Sequence, residues 1–250
     1  MHKQILAIIT TLLSVAAPFS ASAYSNSDVT AVLNGASCPN GDLSGADLSG
    51  LDLSGRDFNN TDFTEARLDS TKLDNAVLNN ACFKNALLAH ASLRNTQLKN
   101  ADFSYAVATS SDFSFADLSN AKLYRSQMQY AHLLNTKLQY TKAQEAAFDN
   151  AQADYADFSF ANLPYSWLRK ASLKHSIFYG ANMYNTHMTQ ADLFEADLRS
   201  AKLAHSDLTH SKLDKAQLSN AILEYADLRK ASLTYTEFGT AFMDNTKIDK

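Results

Sequence analysis

A five-residue repeat runs from Gly41 to Lys250 without insertion or deletion, and it constrains the fold more than any other feature. The middle residue of the 42 pentads is always apolar: Leu 25 times, Phe nine times, Met four times, Ala three times and Ile once. The residue two positions earlier is small in every pentad except those with Leu51 and Arg56. A period of five fits neither the 3.6-residue helix nor the two-residue strand, so the repeat itself defines the fold.

The alternation of side chains within each pentad explains this pattern. Residues two apart in an extended backbone point to the same side. We therefore expect the small residue and the central apolar residue to face inward, as at Ala46 and Leu48, while Asp47 between them faces solvent. A larger side chain at the small position would crowd a narrow, close-packed interior.

The pentads at residues 46–50 (ADLSG), 196–200 (ADLRS) and 226–230 (ADLRK) resemble those of the pentapeptide-repeat family. The resemblance covers 210 of the 250 residues in one frame. It implies an all-β fold, the right-handed quadrilateral β-helix, with four pentads in each coil and one on each face. Residues 41–250 would then form a solenoid of about ten and a half coils.

The three alanines at the central position test the four-face arrangement. An uncompensated cavity at each would cost about 2–5 kcal/mol. With four pentads per coil, one layer contains residues 143, 148, 153 and 158, which read Ala, Phe, Ala, Phe. Another contains residues 103, 108, 113 and 118, which read Phe, Ala, Phe, Leu. The phenylalanines thus compensate for the alanines within one layer, as a close-packed interior requires.

Residues 1–23 have the features of a secretory signal peptide. A charged start containing Lys3 precedes a short apolar run, residues 5–15, and a small-residue cleavage pattern ends at Ala23. The apolar run is too short to span a bilayer. We expect cleavage after Ala23 and a periplasmic or secreted protein that has no membrane association once the signal is removed. Loss of Lys3 changes the formal net charge from −4 to −5.

Residues 24–40 are predicted to form an N-terminal cap segment. Ser27 to Asn34 has the pattern of a short helix, with Ser27 as its N-cap and Gly35 at its end. A solenoid needs a cap because an uncovered end exposes its core and its strand edges.

The C-terminal end lacks such a cap, because the repeat continues through Met243 and Ile248. Two outcomes stay open: a frayed end, or an end-to-end homodimer of the kind that some members of the family form.

The two cysteines, Cys38 and Cys82, are predicted to remain unpaired within the chain. Exported members of the family often carry a Cys-x-x-Cys before the first coil, but Gly41 stands where the second cysteine would be. Cys82 lies two coils above the first, about 10 Å along the axis, which is too far for an easy disulfide. Free thiols or an intermolecular bond are favoured, although an oxidising compartment keeps the intramolecular disulfide open.

No pattern of catalytic residues stands out. The chain has no Gly-rich phosphate loop, no His-Glu-x-x-His and no nucleophile elbow, so we expect no enzyme activity and no cofactor. The many aspartates before the central residue, such as Asp42 and Asp192, are interpreted as a solvated outer face that supports turn hydrogen bonds. A weak metal candidate is the set His187, His205 and Asp207, which four-face wrapping brings onto successive coils.

Outward-facing aromatic residues become frequent only after residue 100. Four-face wrapping gathers seven of them around the first face of the solenoid and its two corners. A surface rich in Tyr and Trp has the composition of an interface, so we predict a partner surface there. Its residues are Tyr105, Tyr124, Tyr140, Phe160, Tyr165, Trp167 and Tyr184.

Three functions compete for this chain. The first is a non-enzymatic exported scaffold or protein-interaction module with an unknown protein partner, and the second is a secreted effector that acts on a host. The third, a DNA mimic that inhibits gyrase as cytoplasmic relatives do, is disfavoured because the signal peptide and the net charge of about −5 do not suit it. Direct nucleic-acid binding is also not expected, because no basic stripe is present.

Overall fold

A computed structural model describes residues 25–249, and its architecture is a four-sided β-helix preceded by one short helix. Helix α1 spans Asn26–Leu33. From residue 42 onward, each outward residue forms an isolated parallel β-bridge with the residue 20 positions later, from Asp42↔Asp62 to Asp227↔Lys247. Within residues 25–249 no strand is longer than one bridge residue. One circuit of the chain therefore takes four pentads, which confirms the four-face arrangement.

Each pentad ends in a tight turn that makes a corner of the solenoid. In the first repeat, the backbone N–H of Ala46 donates to the carbonyl of Leu43 at 3.1 Å. Between residues 45 and 245, the last residue of each pentad has a positive φ, such as 58° at Asn60, with Gly239 in place of residue 240. This geometry is that of a type II turn, which favours Gly or Asn at its third position. The signal peptide predicted for residues 1–23 lies outside the described residues.

The interior consists of the central residues and their small neighbours, which are almost all fully buried. Phenylalanines of successive coils stack along the axis; the rings of Phe83 and Phe103 lie 4.5 Å apart. Within one layer, Phe148 meets Phe158 across the interior with ring centroids 6.1 Å apart, at the level where the other two faces contribute only alanine. The predicted compensation of Ala by Phe is therefore confirmed.

Helix α1 packs on the first coil, and this contact explains one exception to the small-residue rule. Val32 of the helix is buried, and its carbonyl accepts a hydrogen bond of 2.8 Å from the guanidinium of Arg56. At the other end of the helix, Asp28 accepts from the backbone N–H of Asp42 at 2.9 Å. Arg56 replaces a small residue because its side chain reaches the carbonyls at the end of the helix.

The predicted limits of the helix were wrong by one residue, and its predicted N-cap was wrong. Ser25, not Ser27, is the N-cap, because its side chain accepts from the backbone N–H of Asp28. The helix consequently begins at Asn26 and ends at Leu33. No helix within residues 25–249 is long and apolar enough to cross a membrane.

Both cysteines have free thiols. Cys38 is buried beside Gly41, and a Cβ at Gly41 would collide with its sulfur. This contact explains why glycine stands at the first small position of the repeat. Burial raises the pKa of the Cys38 thiol, and the nearby Asp28 carboxylate adds to that effect. Cys82 faces outward, 3.2 Å from the hydroxyl of Thr64.

We predict that Phe148→Ala lowers the free energy of unfolding by about 3–5 kcal/mol, because its layer already contains two alanines. Adding Ala153→Phe returns the lost volume to the same layer, so the double variant should recover part of the loss. Urea denaturation of the three proteins measures both effects. Equal stability of the single and double variants would contradict packing of residues 143–158 in one layer.

Candidate functional site

The predicted aromatic surface lies on two corners of the solenoid that flank its first face. We call the corner between the first and second faces the exit corner. There Tyr105 packs edge-on against Tyr124, with ring centroids 5.3 Å apart, and Tyr165 packs against Tyr184 at 5.7 Å. The ridge continues through His205, whose ring stands 5.3 Å from that of Tyr184.

The corner at which the chain enters the first face, the entry corner, carries a second ridge. Tyr140 stacks on Phe160 at 5.3 Å, and Phe160 packs edge-on against Tyr179 at 5.5 Å. Gly180 makes room for this ridge, since a Cβ there would lie 2.9 Å from the Phe160 ring. The first face therefore lies between two aromatic ridges, rather than carrying one continuous patch.

Nine aromatic residues occupy the left-handed corner position, and four of them belong to the predicted surface. A bulky residue is uncommon at positive φ, where the conformation costs an ordinary side chain roughly 1–2 kcal/mol. Asn and Gly fit the same position better and occupy it in other coils, for example at Asn60 and Gly50. Exposed aromatic side chains at a strained backbone position suggest a binding role. The nine are Tyr105, Phe115, Tyr130, Tyr140, Tyr155, Phe160, Tyr165, Tyr225 and Tyr235.

Trp167 lies on the second face, just past the exit corner. Its indole stacks on the ring of His187 at 6.2 Å, with the two planes 11° apart. In the preceding coil the outward position is Ala147, and beside it is an open cavity of about 330 Å³. The sequence contained one indication of this cavity, which is an alanine at an outward position. Ala147 is the only alanine at the outward position of the 42 pentads.

The three candidate metal ligands have other contacts. His187 stacks on Trp167, and His205 stacks on Tyr225 with ring centroids 5.0 Å apart. The carboxylate of Asp207 accepts hydrogen bonds from threonine hydroxyls on its own coil and on the coil below, at 2.7 and 2.9 Å. In the part of the chain that the structure describes, no group of three or more His, Cys, Asp or Glu side chains is arranged to hold a metal ion.

The outward aspartates support the turns, as the sequence predicted. Asp102 is an example: its carboxylate accepts from the backbone N–H and the hydroxyl of Ser104, at 3.1 and 2.6 Å, and from Lys122 at 3.1 Å. Burial of Asp102 opposes its ionisation, but the Ser104 hydrogen bonds and the Lys122 ammonium outweigh burial and lower the pKa of the carboxyl. The same balance lowers the pKa of Asp117 and Asp197.

These features define a four-sided β-helix of pentads that carries aromatic ridges. Eight copies of the family model described as pentapeptide repeats match the chain, at residues 30–64, 42–80, 81–114, 116–152, 131–164, 154–193, 191–224 and 211–248. The chain therefore belongs to the pentapeptide-repeat family, whose fold is the right-handed quadrilateral β-helix.

Solved structures similar to this chain include three pentapeptide-repeat proteins. HetL, from the cyanobacterium Nostoc sp. strain PCC 7120 and involved in heterocyst differentiation regulation, is 22% identical over 90% of this chain and 96% of its own, with a TM-score of 0.38. A trypsin-treated variant of QnrB1, a plasmid-mediated fluoroquinolone resistance protein, is 15% identical over 82% of this chain and 90% of its own, with a TM-score of 0.44.

A pentapeptide-repeat protein from the Arabidopsis thaliana thylakoid lumen is 28% identical over 45% of this chain and 68% of its own, with a TM-score of 0.29. A comparison with curated protein sequences finds no match.

We predict that the protein loses stability in acid. The pKa values of carboxyls such as Asp102, Asp117 and Asp197 are lowered on folding, so their ionisation stabilises the folded state above the unfolded pKa of about 4. This contribution disappears as the pH falls through the lower, folded-state values. Urea denaturation between about pH 7 and pH 2 should show falling stability below about pH 5, with a smaller fall in Asp102→Asn. Constant or rising stability in acid would contradict this role of the aspartates.

Proposed function

We propose that this protein is a non-enzymatic, exported scaffold that binds a protein partner through the aromatic ridges of its first face. The observation that carries the proposal is the exposure of aromatic side chains at strained corners. Tyr140 is 55% exposed, and Tyr105, Phe160 and Tyr165 are each 47% exposed. Asn or Gly would fit these corners better, so the exposed aromatic residues there are candidates for contact with a partner.

The architecture supports a binding role rather than catalysis. The five-residue pattern of bridge and turn continues without interruption from residue 41 to residue 247, so the rod has no inserted loop to shelter a catalytic group. In this proposal α1 caps the N-terminal end of about ten and a half coils. General acid–base catalysis needs a carboxyl with a pKa near the working pH, whereas the shifted aspartates described above have lowered values.

Export is part of the proposal and rests on residues 1–23. The mass of the mature protein, purified from the compartment it reaches, should correspond to a chain that begins at Tyr24. An intact N-terminus in that protein would contradict export through this signal.

We also propose that the last coil contacts a second copy of the chain. Core residues Leu233, Phe238 and Met243 are only partly buried. Their equivalents one coil earlier are fully buried: Leu213, Leu218 and Leu223. Light scattering should therefore give the mass of a dimer. A monomer at micromolar concentration would contradict this contact.

The gyrase-inhibiting DNA mimic remains the less favoured alternative, because the acidic side chains do not form a continuous negative stripe. Asp47 pairs with Arg67 at 2.9 Å, and Asp102 pairs with Lys122 at 3.1 Å. A duplex mimic needs unpaired negative charge about every 1.7 Å along its axis. Pairs of this kind between neighbouring coils interrupt the negative charge along the axis.

We predict that Trp167→Ala and Tyr165→Ala each weaken capture of the partner by about tenfold or more and leave the melting temperature nearly unchanged. Both side chains are on the surface, and truncating a central aromatic residue of an interface commonly costs 2 kcal/mol or more, ~30-fold in affinity. Cross-linking and affinity capture from the exporting compartment measure the loss. Tyr130→Ala, on a different corner, is the matched control.

The proposal fails if these variants lose partner and melting temperature together, because the aromatic residues would then act in stability alone. It also fails if Tyr130→Ala reduces capture as much as Trp167→Ala does.

A further inference from the structure

On the second face of the solenoid, one outward position carries only a methyl group. Bridged residues of successive coils on this face are Gln127, Ala147, Trp167, His187 and Asp207. His187 stacks on Trp167 from the coil above. On the side of the coil below, Ala147 contributes only a methyl group, and the cavity of about 330 Å³ is lined by both Ala147 and Trp167. We call this cavity the notch.

Two ion pairs form the walls of the notch. At the exit corner, the Arg125 guanidinium binds the Glu145 carboxylate at 2.7 Å. On the opposite side, Arg169 makes two side-chain hydrogen bonds to Asp149, at 2.6 and 3.1 Å. Paired guanidinium and carboxylate groups present fixed, planar donors and acceptors, which hold their geometry well.

The charges around the notch cancel. Its lining contains two arginines and two carboxylates, each engaged with the other kind. The lining therefore has no net charge to attract an ionic ligand, whereas a neutral ligand can hydrogen-bond to the outer atoms of both pairs. The chemistry therefore favours a neutral polar ligand.

Gln129 adds an unsatisfied acceptor. The half-buried residue lines the notch, whereas its side-chain oxygen is turned away from solvent and has no hydrogen-bond partner. A buried acceptor without a donor costs about 1–3 kcal/mol. Rotation of the Gln129 amide toward the notch would let a ligand hydroxyl donate to this oxygen and supply the hydrogen bond that the folded chain lacks.

A second cavity of about 370 Å³ adjoins the notch and shares Glu145 and Trp167 with it. Tyr165 and His187 complete its lining. The two cavities are open to solvent and follow the exit corner along the axis. An extended ligand with two or more rings therefore fits better than a single ring.

We propose that the notch and its neighbour bind a neutral oligosaccharide, with one pyranose ring seated on Trp167 above Ala147. The C–H face of the sugar ring packs on the indole, and its hydroxyls reach the planar polar groups of Gln129, Glu145 and Asp149. The proposal goes beyond the protein-binding function proposed above and adds a second kind of ligand at the edge of the same surface.

An aromatic side chain of a protein partner matches these observations less well. It would stack on Trp167, but its apolar edge would cover the Arg–carboxylate walls and the oxygen of Gln129 without hydrogen-bonding to them. A sugar ring supplies an apolar face and a polar edge together, which is the combination that the notch presents.

The test uses Trp167 as its own reporter, because it is the only tryptophan of the chain. The full mature protein is titrated with cellotriose, maltotriose and chitotriose, and its tryptophan fluorescence is recorded. We expect a saturable change with at least one of these neutral trisaccharides. A heparin tetrasaccharide, the anionic probe, should bind about tenfold more weakly or not at all.

Substitutions at Ala147 test binding in the notch without changing the rest of the aromatic surface. Ala147→Gln supplies the missing side chain, so it should fill the notch and weaken the binding of the sugar by about tenfold or more. Ala147→Ser keeps the notch open and should bind normally. Val77→Gln places the same side chain on a distant face and is the matched control, and equal melting temperatures verify the fold of all three.

The proposal is overturned if none of the trisaccharides gives a saturable change, if heparin binds more tightly than they do, or if Ala147→Gln binds as well as the unaltered protein. Stronger binding of a tryptophan-containing peptide at the notch would also overturn it, in favour of a protein ligand. Partner capture that survives in Ala147→Gln shows that the proposed scaffold function stands whatever the sugar result.

Discussion

The parallel bridge between a residue and the one 20 positions later is the contact on which the rest of the structure depends. Leu48 illustrates it: its backbone N–H donates to the carbonyl of Arg67 at 2.9 Å, and Arg67 in turn donates to Ala46 at 2.9 Å. This register places equivalent residues of successive coils above one another. It also fixes which central residues share a layer, and hence whether an alanine is compensated by a phenylalanine.

The same register determines which outward side chains lie above one another on the surface. Stacked outward residues produce ladders, and a ladder supports an aromatic ridge, a row of ion pairs or an asparagine ladder according to sequence. Asn80, for example, donates to Asn60 at 3.1 Å, whereas Tyr140 stacks on Phe160 in the ladder that continues this corner. A rigid backbone thus displays a variable surface, so function depends on the outward and corner positions rather than on the fold.

The inward and outward positions were predictable from the sequence, because every pentad repeats the same two inward residues, whereas the four-sided coil was what the resemblance to the pentapeptide-repeat family implied. The sequence also placed Tyr140 and Phe160 at the entry corner. It assigned Tyr105, Tyr124, Tyr165 and Tyr184 to the first face itself, whereas the structure shows them paired edge-on as a separate ridge at the exit corner. The notch was missed because its central feature is an absent side chain. Ala147 is unremarkable in a chain rich in alanine until the bridges place it between Gln127 and Trp167.

The N-terminal end of the solenoid shows a similar limit. Arg56 breaks the small-residue rule in the sequence, and its reason is a contact with Val32, which is 24 positions away in a helix with no repeat. The N-cap of that helix was placed at Ser27 because two serines in Ser25-Asn26-Ser27 have the same local preference, and only the structure distinguishes them.

The distance between spin labels on one face tests the 20-residue register most directly. With Cys38 and Cys82 replaced by serine, labels are placed at Val77→Cys and Ile177→Cys, which five successive bridges connect. At about 4.8 Å per coil, the register predicts a narrow distribution of backbone separations near 24 Å, with the label linkers added. A broad distribution, or a mean that corresponds to labels on different faces, would contradict the four-pentad coil and the surface derived from it.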